Sequence, residues 1–557
     1  MINLEYLDIN WRKLKNSKMA VLTIPRKTFE KEIGKLDEKL EDKLALFGTS
    51  IENKDDENID LNITPNRPDL LSYSNFRYSF TCYLGKTKPK QFKIQKSGAK
   101  IIVDKSVANI RPYSMAAIVK GIKFTDEKIK EIMQFQEKLH ATIGRNRKKM
   151  AMGYYVLDKI KFPIKYMADM PQKIAFEPLD MPQKMNALQI LSRHPAGREY
   201  GYQLEGFDKF PVYYDNGGQV LSLPPIINSN NLGKINEKTK DILIECSGTD
   251  LETLKKCIAI AVADLINSGG KAYSIDIIYG SKKELIDLKP QKTKLSIGNA
   301  NKLLGLNIKE AEIKKLLGKM GHEYRAGYVY SPAWRVDILH EVDIIEDIAI
   351  AYGYDKIIPE IPQISTIGQI DKKEIIKKKI AEILAGLEMI ETSSLHLTTK
   401  DSQFKKINIP EEDFIEVQNS KTEYTILRKD LTHCLLRILS ENVDVEYPQE
   451  IFELGKIFNS NYTESEHLSL ALAPGDFTKA KQVLEYLAKM LNINLKIDNH
   501  SGENLYCIEG RIADIILNNK KIGFIGDVHP SILKNLKIKM PVTLTEIDLA
   551  EIFKEIK

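Results

Sequence analysis

The sequence predicts an α+β protein of several domains, and three observations lead to this prediction. A chain of 557 residues is too long for one hydrophobic core, so several domains are expected. Amphipathic helices such as Leu251 to Ser268 alternate with strand-like segments such as Glu450 to Phe458. Two short stretches, 86–90 and 361–368, have the composition of linkers.

Composition and charge exclude several classes of protein. No run of eighteen apolar residues occurs and Met1 to Asn10 lack signal-peptide features, which predicts a soluble, cytoplasmic protein. The five cysteines include no Cys-x-x-Cys pair, so neither a zinc site nor a disulfide framework is indicated. A net charge of +6 permits an RNA partner without requiring one. Walker loops, dinucleotide-binding glycine motifs and His-Glu-x-x-His are missing, so these catalytic templates do not apply.

The helix and strand patterns divide the chain into four predicted domains, with ranges 1–90, 91–284, 285–360 and 370–557. In the first, Leu61 to Asp69 predicts a strand and turn, with Asp69 as the N-cap of a helix that runs to Leu84. The second is strand-rich, with helices at Glu127 to Ile143 and Leu251 to Ser268. A charged connector, 281–294, leads to the third.

The last predicted domain contains a hairpin. Glu509 to Leu517 and Lys521 to Asp527 alternate like strands, and Asn518-Asn519 between them has the composition of a tight turn. His529-Pro530 then indicates the start of a helix at an interface rather than a catalytic base. This region is therefore expected to be an α+β domain.

The segment from Trp334 to Lys356 concentrates acidic residues. Asp343, Glu346 and Asp347 share one face of a predicted helix, and Asp337 precedes that helix by a short extended stretch. Carboxylates that meet in this way repel one another unless a cation or basic groups intervene, and hard oxygen ligands suit Mg²⁺ or Ca²⁺. The alternative is a solvated acidic face near a helix N-terminus. The apolar positions that support the helix are Val342, Ile345, Ile348, Ala349 and Tyr352.

A basic segment, Arg145 to Lys149, precedes the aromatic-containing stretch Met150 to Tyr155. This combination fits contacts with RNA phosphates and stacking on bases. It fits equally well a solvated helix end, where positive charge favours the C-terminal dipole. Both interpretations stay open at this stage.

Nine segments together resemble the beta subunit of phenylalanyl-tRNA synthetase, of the shorter archaeal and eukaryotic type. They occur in the order typical of that family and span most of the chain. The segments are NITPNRPDLL (62–71), MGYYVLDK (152–159), HPAGREYGY (194–202), VLSLPPIINS (220–229), ECSGTD (245–250), 334–356, VQNSKTEYTILRKDL (417–431), 451–458 and GDVHPSIL (526–533).

The resemblance implies a role for each domain. It makes 91–284 an editing domain that deacylates mischarged tRNA, and 285–360 a small metal-binding α/β domain. It makes 370–557 a class II synthetase-like antiparallel sheet domain. It also implies that Mg²⁺ is bound at the subunit junction, with ligands Asp337, Asp343, Glu346 and Asp347.

The last domain is expected to lack the ATP machinery of a class II synthetase. Such enzymes hold triphosphate with arginines on antiparallel strands, because phosphate charge is best met by a fixed guanidinium fork. The strand Phe452 to Phe458 continues into Asn459-Ser460 without an arginine, and Val542 to Leu549 contains neither glycine nor arginine. Arg428 is therefore expected to be structural or interfacial. Aminoacylation is assigned to an alpha subunit.

Proofreading is expected in the strand-rich domain, where the family resemblance places it. Glu245 and Ser247 are two residues apart and share one side of a strand, where they would hydrogen-bond a tyrosine hydroxyl or orient a water. Cys246 faces the opposite side and is expected in the core. For each of these residues an ordinary structural role is the alternative. The complete candidate set is His194, Ser222, Asn228, Glu245 and Ser247.

The resemblance implies a heterotetramer with two alpha and two beta chains that binds tRNA(Phe) and attaches phenylalanine to it at the expense of ATP. It does not settle whether the editing pocket is active. A non-catalytic RNA-binding scaffold with a dead pocket, and a deacylase that acts without a partner, remain alternatives.

Overall fold

The computed structural model describes residues 21–364, 366–502 and 506–556, and the chain forms two compact units that meet in sequence between Ile361 and Pro362. This division lies in the stretch predicted as a linker, 361–368, whose described residues 361–364 and 366–368 form neither helix nor strand. The expected lack of a signal peptide rests on residues that lie outside the described ranges.

The N-terminal part of the first unit is a three-stranded antiparallel sheet with three helices. Its strands run in the order β1-β3-β2. The elements are β1 (Val21–Pro25), α1 (Arg26–Glu32), α2 (Glu38–Phe47), β2 (Thr49–Lys54), β3 (Asn58–Ile63) and α3 (Tyr73–Tyr83).

The predicted cap of helix α3 is wrong. The N-cap is Ser72, whose side chain accepts a hydrogen bond from the Asn75 amide. Asp69 lies instead in a 3-10 turn, Pro68–Leu71, and is fully buried. Its carboxylate is held by two guanidinium nitrogens of Arg67, at 2.9 and 2.8 Å. The buried ion pair uses the carboxylate, so the next hydroxyl along the chain caps the helix.

The middle of the first unit is a ten-stranded mixed sheet, which agrees with the predicted strand-rich region. Most neighbouring strands are antiparallel, whereas β4 is parallel to both β7 and β14. The strand order is β12-β11-β10-β7-β4-β14-β5-β13-β6, with β15 paired to β14. These strands are β4 (Ile94–Val103), β5 (Tyr113–Lys120), β6 (Met150–Val156), β7 (Ile164–Asp169), β10 (Phe210–Tyr214), β11 (Val220–Leu223), β12 (Ile227–Asn228), β13 (Ile242–Gly248), β14 (Lys271–Tyr279) and β15 (Lys282–Glu284).

Helices and one small sheet complete this region. Helix α8 (Leu251–Asn267) packs against β5 and β13. Both helices predicted in this region are present, and their ends differ from the predicted ends by at most two residues. The remaining elements are α4 (Asp126–Ala141), β8 (Ala175–Phe176), β9 (Met185–Asn186), α5 (Ala187–Arg193), α6 (Pro195–Tyr200), α7 (Asn230–Gly233) and α8 (Leu251–Asn267).

The ten-stranded sheet curls until its two edges touch through side chains. Strands β12 and β6 are at opposite ends of the strand order. Nevertheless the Tyr155 hydroxyl on β6 lies 3.1 Å from Asn228 Oδ1 on β12. Arg147, just before β6, donates to the Ile226 carbonyl oxygen at 2.8 Å, and Lys159, just after it, donates to the Asn231 carbonyl oxygen at 2.8 Å. The curled sheet therefore has an interior face.

The last part of the first unit is a three-stranded sheet, order β16-β18-β17, with three helices. One of its strands, β16, lies within the segment predicted as a charged connector. The elements are β16 (Gln291–Lys294), α9 (Ile297–Leu304), α10 (Glu310–Lys319), β17 (Glu323–Arg325), β18 (Tyr328–Ser331) and α11 (Glu341–Tyr352).

The three regions predicted as separate domains share one core. A single cluster of buried apolar side chains runs from Leu22 to Ala351. Phe92, from the start of the strand-rich region, stacks on Trp334 of the last region with ring centroids 4.2 Å apart. The three regions bury apolar surface against one another, and this burial holds them together.

An ion-pair network lies beneath α11. Arg335 donates to Asp337 at 3.0 and 2.8 Å and to Asp347 at 2.6 Å, and its side chain is 3% exposed. His322 lies 2.6 Å from the same Asp347 oxygen. Burial alone would raise the pKa of Asp347, but Arg335 and His322 hold it well below its usual value. Two buried carboxylates thus depend on one guanidinium.

The second unit is built on a seven-stranded sheet, order β19-β22-β23-β27-β26-β25-β24, which is antiparallel except for the β19–β22 pair. Asn518 and Asn519 have φ angles of 52° and 60°, as the predicted tight hairpin turn requires. The strands of the second unit are β19 (Ile390–Glu391), β20 (Leu397–Thr398), β21 (Ile426–Leu427), β22 (Gln449–Phe458), β23 (Glu464–Ala473), β24 (Leu495–Asn499), β25 (Cys507–Leu517), β26 (Lys520–Val528) and β27 (Thr543–Asp548), of which β20 and β21 form a separate two-stranded sheet.

Helices cover both faces of this sheet, and two apolar clusters form its core. His529 caps the helix that follows it by accepting from the Ser531 amide, so its expected role as a helix-start residue is confirmed. The helices are α12 (Lys372–Gly386), α13 (Thr432–Glu441), α14 (Phe477–Leu491), α15 (Pro530–Asn535) and α16 (Ala550–Glu555). Within the described ranges, no helix is long and apolar enough to cross a membrane.

We expect Arg335→Met to lower the free energy of unfolding of the first unit by about 3–5 kcal/mol, because two buried carboxylates lose their cation. Urea titration followed by Trp334 fluorescence measures this, in a Trp11→Phe background that leaves one tryptophan. Arg325→Met is the matched control. The Arg325 side chain is 65% exposed and pairs with Glu323, so a loss of about 1 kcal/mol or less is expected. Equal losses in the two variants would contradict the network's role.

Candidate functional site

A row of polar side chains crosses the interior face of the curled sheet. Residues directly opposite one another on paired strands share a face. The register pairs Asn228 with Ser222, Ser222 with Tyr213, and Tyr213 with Tyr166, across β12, β11, β10 and β7. The Tyr213 and Tyr166 rings stack with centroids 4.2 Å apart. Two predicted site residues, Ser222 and Asn228, therefore lie side by side in one row.

Glu245 and Ser247 on β13 share one face, as their spacing predicts. Their strand partners are small, namely Ala116 and Ser114 on β5 and Gly153 and Ala151 on β6. These small side chains leave room for the tyrosines that reach in from the other strands. Cys246, between the two, is fully buried in the hydrophobic core, which confirms the expectation for it.

Tyr155 links the row to Glu245. Its hydroxyl lies 3.0 Å from Glu245 Oε2 and 3.1 Å from Asn228 Oδ1. A Cβ atom at Gly153 would collide with this hydroxyl, so glycine is required there. The phenol has one proton and both neighbours are acceptors when Glu245 is ionised. A proton on Glu245 completes the chain, with Glu245 donating to Tyr155 and Tyr155 donating to Asn228.

The Glu245 carboxyl has a pKa near neutral pH. Burial raises its pKa to about 7, even though the Tyr155 and Tyr213 hydroxyls and the Arg111 guanidinium favour the charged form. Glu245 is only 3% exposed. A carboxyl that exchanges its proton near pH 7 acts either as hydrogen-bond donor or as acceptor in this environment.

Two polar atoms of the cluster are buried without a partner among the described residues. They are the Ser222 hydroxyl and Glu245 Oε1. Buried polar atoms are paired in the great majority of cases, because leaving one unpaired costs about 1–3 kcal/mol. Their position on the interior face, next to Tyr155, points to a ligand that supplies hydrogen bonds.

Ser247 is part of the cluster but has a structural contact. Its hydroxyl accepts from Arg111 Nε at 3.1 Å, and its carbonyl oxygen accepts from Arg111 Nη2 at 2.7 Å. Tyr166 in turn donates to the Arg111 carbonyl oxygen at 2.8 Å. Ser247 thus positions Arg111 close enough to act on Glu245, and a direct contact of Ser247 with a substrate is not supported by this geometry.

His194 does not join the other four predicted residues. Its Nδ1 accepts from the Ala196 amide at 3.1 Å and caps α6, and its Nε2 lies 3.1 Å from the Leu179 carbonyl oxygen. Both ring nitrogens are used, and burial lowers the pKa of His194. His194 thus caps a helix, which the following proline favours, and its role in the editing site stays a prediction.

The sequence alone did not identify four residues of the site, namely Tyr155, Tyr213, Arg111 and Gly153. Tyr155 and Gly153 lie in the segment Met152 to Lys159, which contributed to the family resemblance. Their spacing of two residues places both on one strand face, which was the available signal. The contacts of Arg111 with Ser247, far away in sequence, leave no local pattern.

The basic segment before β6 contains one residue that is not available to RNA. Arg147 is 8% exposed, donates to Glu137 at 3.0 Å, and lies over the Tyr200 ring. Arg145 and Lys148 remain exposed. Arg147 therefore helps to close the curled sheet. Only its neighbours Arg145 and Lys148 remain available to bind RNA phosphates.

The four carboxylates expected to bind Mg²⁺ are not gathered into a metal site. Asp337 and Asp347 bind Arg335, and Asp343 accepts from the Leu339 and His340 amides at 2.7 Å each, as in a capping box. Glu346 is exposed. In the described part of the chain, no group of three or more His, Cys, Asp or Glu side chains is arranged to hold a metal ion. Basic groups of this chain neutralise the two buried carboxylates, and Mg²⁺ binding at the subunit junction stays a prediction.

Arg428 in the second unit is structural, as expected. Its guanidinium donates to Glu453 on β22 at 2.6 Å and to the Lys456 carbonyl oxygen at 2.7 Å. Both side chains of the ion pair are 2% exposed. Gly455 is required beside it, since a Cβ atom there would collide with the guanidinium. This arginine is not free to bind a phosphate.

Two family models match the chain. The model described as "Phenylalanyl tRNA synthetase beta chain CLM domain" matches residues 357–549, and the "tRNA synthetase B5 domain" matches residues 293–354. They cover most of the second unit and the last region of the first.

Curated relatives match over a longer range. The phenylalanine–tRNA ligase beta subunit of Archaeoglobus fulgidus is 35% identical over 96% of this chain and 99% of its own length. That of Pyrococcus horikoshii is 37% identical over 88% of this chain and 90% of its own length. A solved N-terminal fragment of the phenylalanyl-tRNA synthetase beta subunit from Pyrococcus horikoshii is 33% identical. It covers 60% of this chain and 99% of the fragment, with a TM-score of 0.57. The chain therefore belongs to the family of phenylalanine–tRNA ligase beta subunits, which are subunits of an aminoacyl-tRNA synthetase.

Proposed function

We propose that this chain supports the ATP-dependent attachment of phenylalanine to tRNA(Phe) by an alpha subunit, and that it hydrolyses mischarged Tyr-tRNA(Phe). The names of the relatives support the first part, since they are beta subunits of this ligase. The interior of the curled sheet supports the second. We place the activity in the cytoplasm, in a heterotetramer of two alpha and two beta chains.

The second unit is proposed to be a class II synthetase-like domain that has lost its nucleotide site. Its antiparallel sheet is the scaffold on which such enzymes present arginines to triphosphate. Here Arg428 is buried against Glu453, and β27 carries neither glycine nor arginine. A buried, paired guanidinium cannot clamp a phosphate without leaving Glu453 uncompensated. Nucleotide binding and aminoacylation are therefore assigned to the partner.

Proofreading is needed because binding alone distinguishes phenylalanine from tyrosine only weakly. A pocket built for phenylalanine rejects tyrosine only about a hundredfold, since the tyrosine merely adds a hydroxyl. A second site that hydrogen-bonds this hydroxyl discriminates far better, by about 10⁴–10⁵, because phenylalanine leaves its polar groups unpaired. The unpaired Glu245 Oε1 is such a group and is the observation that carries the proposal.

The proposed roles follow from the contacts. The phenol of the tyrosyl group donates to Glu245 Oε1, while Tyr155 holds Oε2 in place. Ser222 on β11, which is paired with Asn228 on β12, supplies a further hydrogen bond to the bound group. Water then attacks the ester carbon, the bond to the ribose oxygen breaks, and the ribose oxygen takes the proton. An aminoacyl ester is already activated, so positioning supplies much of the acceleration. No step of this hydrolysis runs through Mg²⁺, which the family resemblance implies at the subunit junction.

Glu245→Ala is expected to lower the rate of Tyr-tRNA(Phe) hydrolysis by about 5- to 150-fold, because the tyrosyl hydroxyl loses its acceptor and stays buried without a partner. Ser222→Ala is expected to lower it about fivefold. Hydrolysis is measured with the assembled alpha–beta complex, and phenylalanine attachment by the same samples shows that they are folded. Ser274→Ala, a buried serine on β14 outside the row, is the matched control and is expected to be neutral.

Unchanged hydrolysis in both site variants would contradict the editing role. No hydrolysis by the wild type, with or without the alpha chain, would leave the non-catalytic scaffold. Full hydrolysis by this chain alone would instead favour a deacylase that needs no partner.

The proton on Glu245 is expected to make stability depend on pH. The folded chain binds it more tightly than the unfolded chain, since the pKa rises from 4.5 to about 7. This contribution is fully present below about pH 4.5 and is lost as the pH rises to about 7. Relative to Glu245→Gln, the wild type should lose at most about 1.4 kcal/mol per pH unit in this window. Urea unfolding of both proteins from pH 4.5 to 8 measures the difference, and a difference that does not change with pH would contradict the assignment.

Phenylalanine-dependent ATP–pyrophosphate exchange is expected to be undetectable with this chain alone and to appear when the alpha chain is added. The reason is the absence of a free arginine on β22 and β27 to hold triphosphate. Robust exchange from a preparation of this chain free of alpha subunit would overturn the division of labour.

A further inference from the structure

Three consecutive residues before β6 have left-handed backbone, and we call them the left-handed turn. The φ angles of Arg145, Asn146 and Arg147 are 49°, 53° and 65°. Within the described ranges, no other run of three non-glycine residues has positive φ. Residues with a Cβ atom rarely adopt this conformation, and then singly, because the Cβ atom approaches the following carbonyl oxygen. The left-handed turn is therefore strained, and such strain collects at functional sites.

The left-handed turn aims Arg147 at the opposite edge of the curled sheet. Its Nη1 donates to the Ile226 carbonyl oxygen at 2.8 Å and to the Pro225 carbonyl oxygen at 3.2 Å, both in the turn between β11 and β12. Its Nη2 donates to Glu137 on α4 at 3.0 Å. Its Nε is buried without a partner among the described residues. A buried guanidinium with one donor unpaired is itself a destabilised arrangement.

A chain of hydrogen bonds ties this contact to β6. The Met152 amide on β6 donates to His140 Nε2 at 2.8 Å, and His140 Nδ1 lies 3.1 Å from Glu137, which holds Arg147. We call the junction of β6 with β12 the seam. Neighbouring strands elsewhere along the path are joined by backbone hydrogen bonds, whereas the seam is held by side chains. The seam therefore opens without breaking a strand pair.

The β12 side of the seam has the weaker attachment to the sheet. Strand β12 is joined to β11 by two residue pairs, and β11 to β10 by two with a shift in register, whereas β6 is joined to β13 by seven. Ser222 and Asn228, two residues of the proposed editing site, lie on β11 and β12. Movement of this edge would expose the interior face and displace both residues.

The proposed editing reaction requires an opening of this kind. Glu245 Oε1 and the Ser222 hydroxyl, the atoms assigned to the tyrosyl group, are both buried. Tyr155 beside them is fully buried as well. A tyrosyl ring therefore reaches these atoms only after part of the curled sheet has moved aside.

We propose that the left-handed turn is a strained latch whose release opens the seam and admits the tyrosyl group to Glu245. With Arg147 bound to the β11–β12 turn, the seam is closed. When Arg147 is released, the left-handed residues relax, and this relaxation offsets part of the loss of its hydrogen bonds. The open state is therefore accessible while the closed state dominates. The inference rests on the proposed function only for the group admitted, because the latch is a property of the unliganded chain.

The labelling rate of a thiol on the interior face measures opening of the seam. Ser222→Cys supplies this thiol in the full chain, and Ellman's reagent reports its reaction by absorbance. All five native cysteines are buried, and the chain without Ser222→Cys gives their background rate.

Arg145→Gly and Arg145→Ala, each combined with Ser222→Cys, form the matched pair. Both remove the same exposed, charged side chain, but only glycine adopts positive φ without strain. Labelling should be about fivefold slower with glycine than with alanine, because the closed latch has lost part of its strain. Equal rates would overturn the proposal.

Arg147→Lys tests the other arm of the latch. Lysine keeps a positive charge beside Glu137 but lacks the planar fork that reaches two carbonyl oxygens and a carboxylate together. Labelling should become at least about tenfold faster, the effect of losing a hydrogen bond from a charged group. Arg77→Lys is the control, since Arg77 on α3 pairs with Glu32 at 2.8 Å away from the seam, and its labelling rate should stay unchanged. No acceleration in Arg147→Lys, or equal acceleration in the control, would overturn the latch.

A second readout separates the latch from the editing proposal. In the assembled alpha–beta complex, Tyr-tRNA(Phe) hydrolysis should be about fivefold slower with Arg145→Gly than with Arg145→Ala, because opening precedes hydrolysis. Phenylalanine attachment should be equal in the two variants. If the wild type hydrolyses no Tyr-tRNA(Phe) but the labelling rates differ as expected, editing fails and the latch stands. If Glu245-dependent hydrolysis is present and the labelling rates are equal, the latch alone fails.

Discussion

Closure of the ten-stranded sheet by the Tyr155 hydroxyl is the interaction on which the candidate site depends. The two edges of the sheet are the first and last of nine strands in the path of hydrogen-bonded neighbours, yet one phenol touches Asn228 on one edge and Glu245 beside the other. Closure removes Glu245 from water, and burial raises its pKa to about 7. The same closure leaves Ser222 and one oxygen of Glu245 buried without partners. An open sheet would solvate both atoms and offer no selective contact.

Two of the buried arginines, Arg335 and Arg428, hold carboxylates inside the protein. Arg335 holds two carboxylates under α11, and Arg428 holds Glu453 on β22. In both places the counter-charge is already inside the protein, so neither a metal ion nor a triphosphate is needed to neutralise it. The unpaired hydroxyls and the carboxyl oxygen of the curled sheet have no such internal partner. Chemistry on this chain is therefore expected in the first unit.

Local patterns in the sequence predicted most elements and part of the site. The spacing of Glu245, Cys246 and Ser247 assigned each side chain to the correct face of β13, because strand alternation is a local rule. The hairpin at Asn518-Asn519 followed from turn chemistry in the same way. Tyr155 was missed as a contact of Glu245, since 90 positions separate them and no periodicity reports the curl of a sheet. Arg111 was missed for the same reason.

Some contacts of the predicted site residues also differ from what local patterns suggested. His194 was grouped with the editing residues, although a histidine before a proline is well placed to cap a helix, which it does. The acidic face near α11 suggested a cation, and the cation is Arg335, only two residues before Asp337. His322, 25 positions before Asp347 in sequence, lies 2.6 Å from the Asp347 carboxylate.

The central claim is that the curled sheet recognises tyrosine by its hydroxyl through Glu245. A crystal structure of the alpha–beta complex with a non-hydrolysable 3′-tyrosylamido adenosine tests it most directly. The account predicts that the phenol oxygen lies about 2.5–3.0 Å from Glu245 Oε1 on the interior face of the sheet. A tyrosyl ring bound outside the curled sheet, with Glu245 still unpaired, would contradict it.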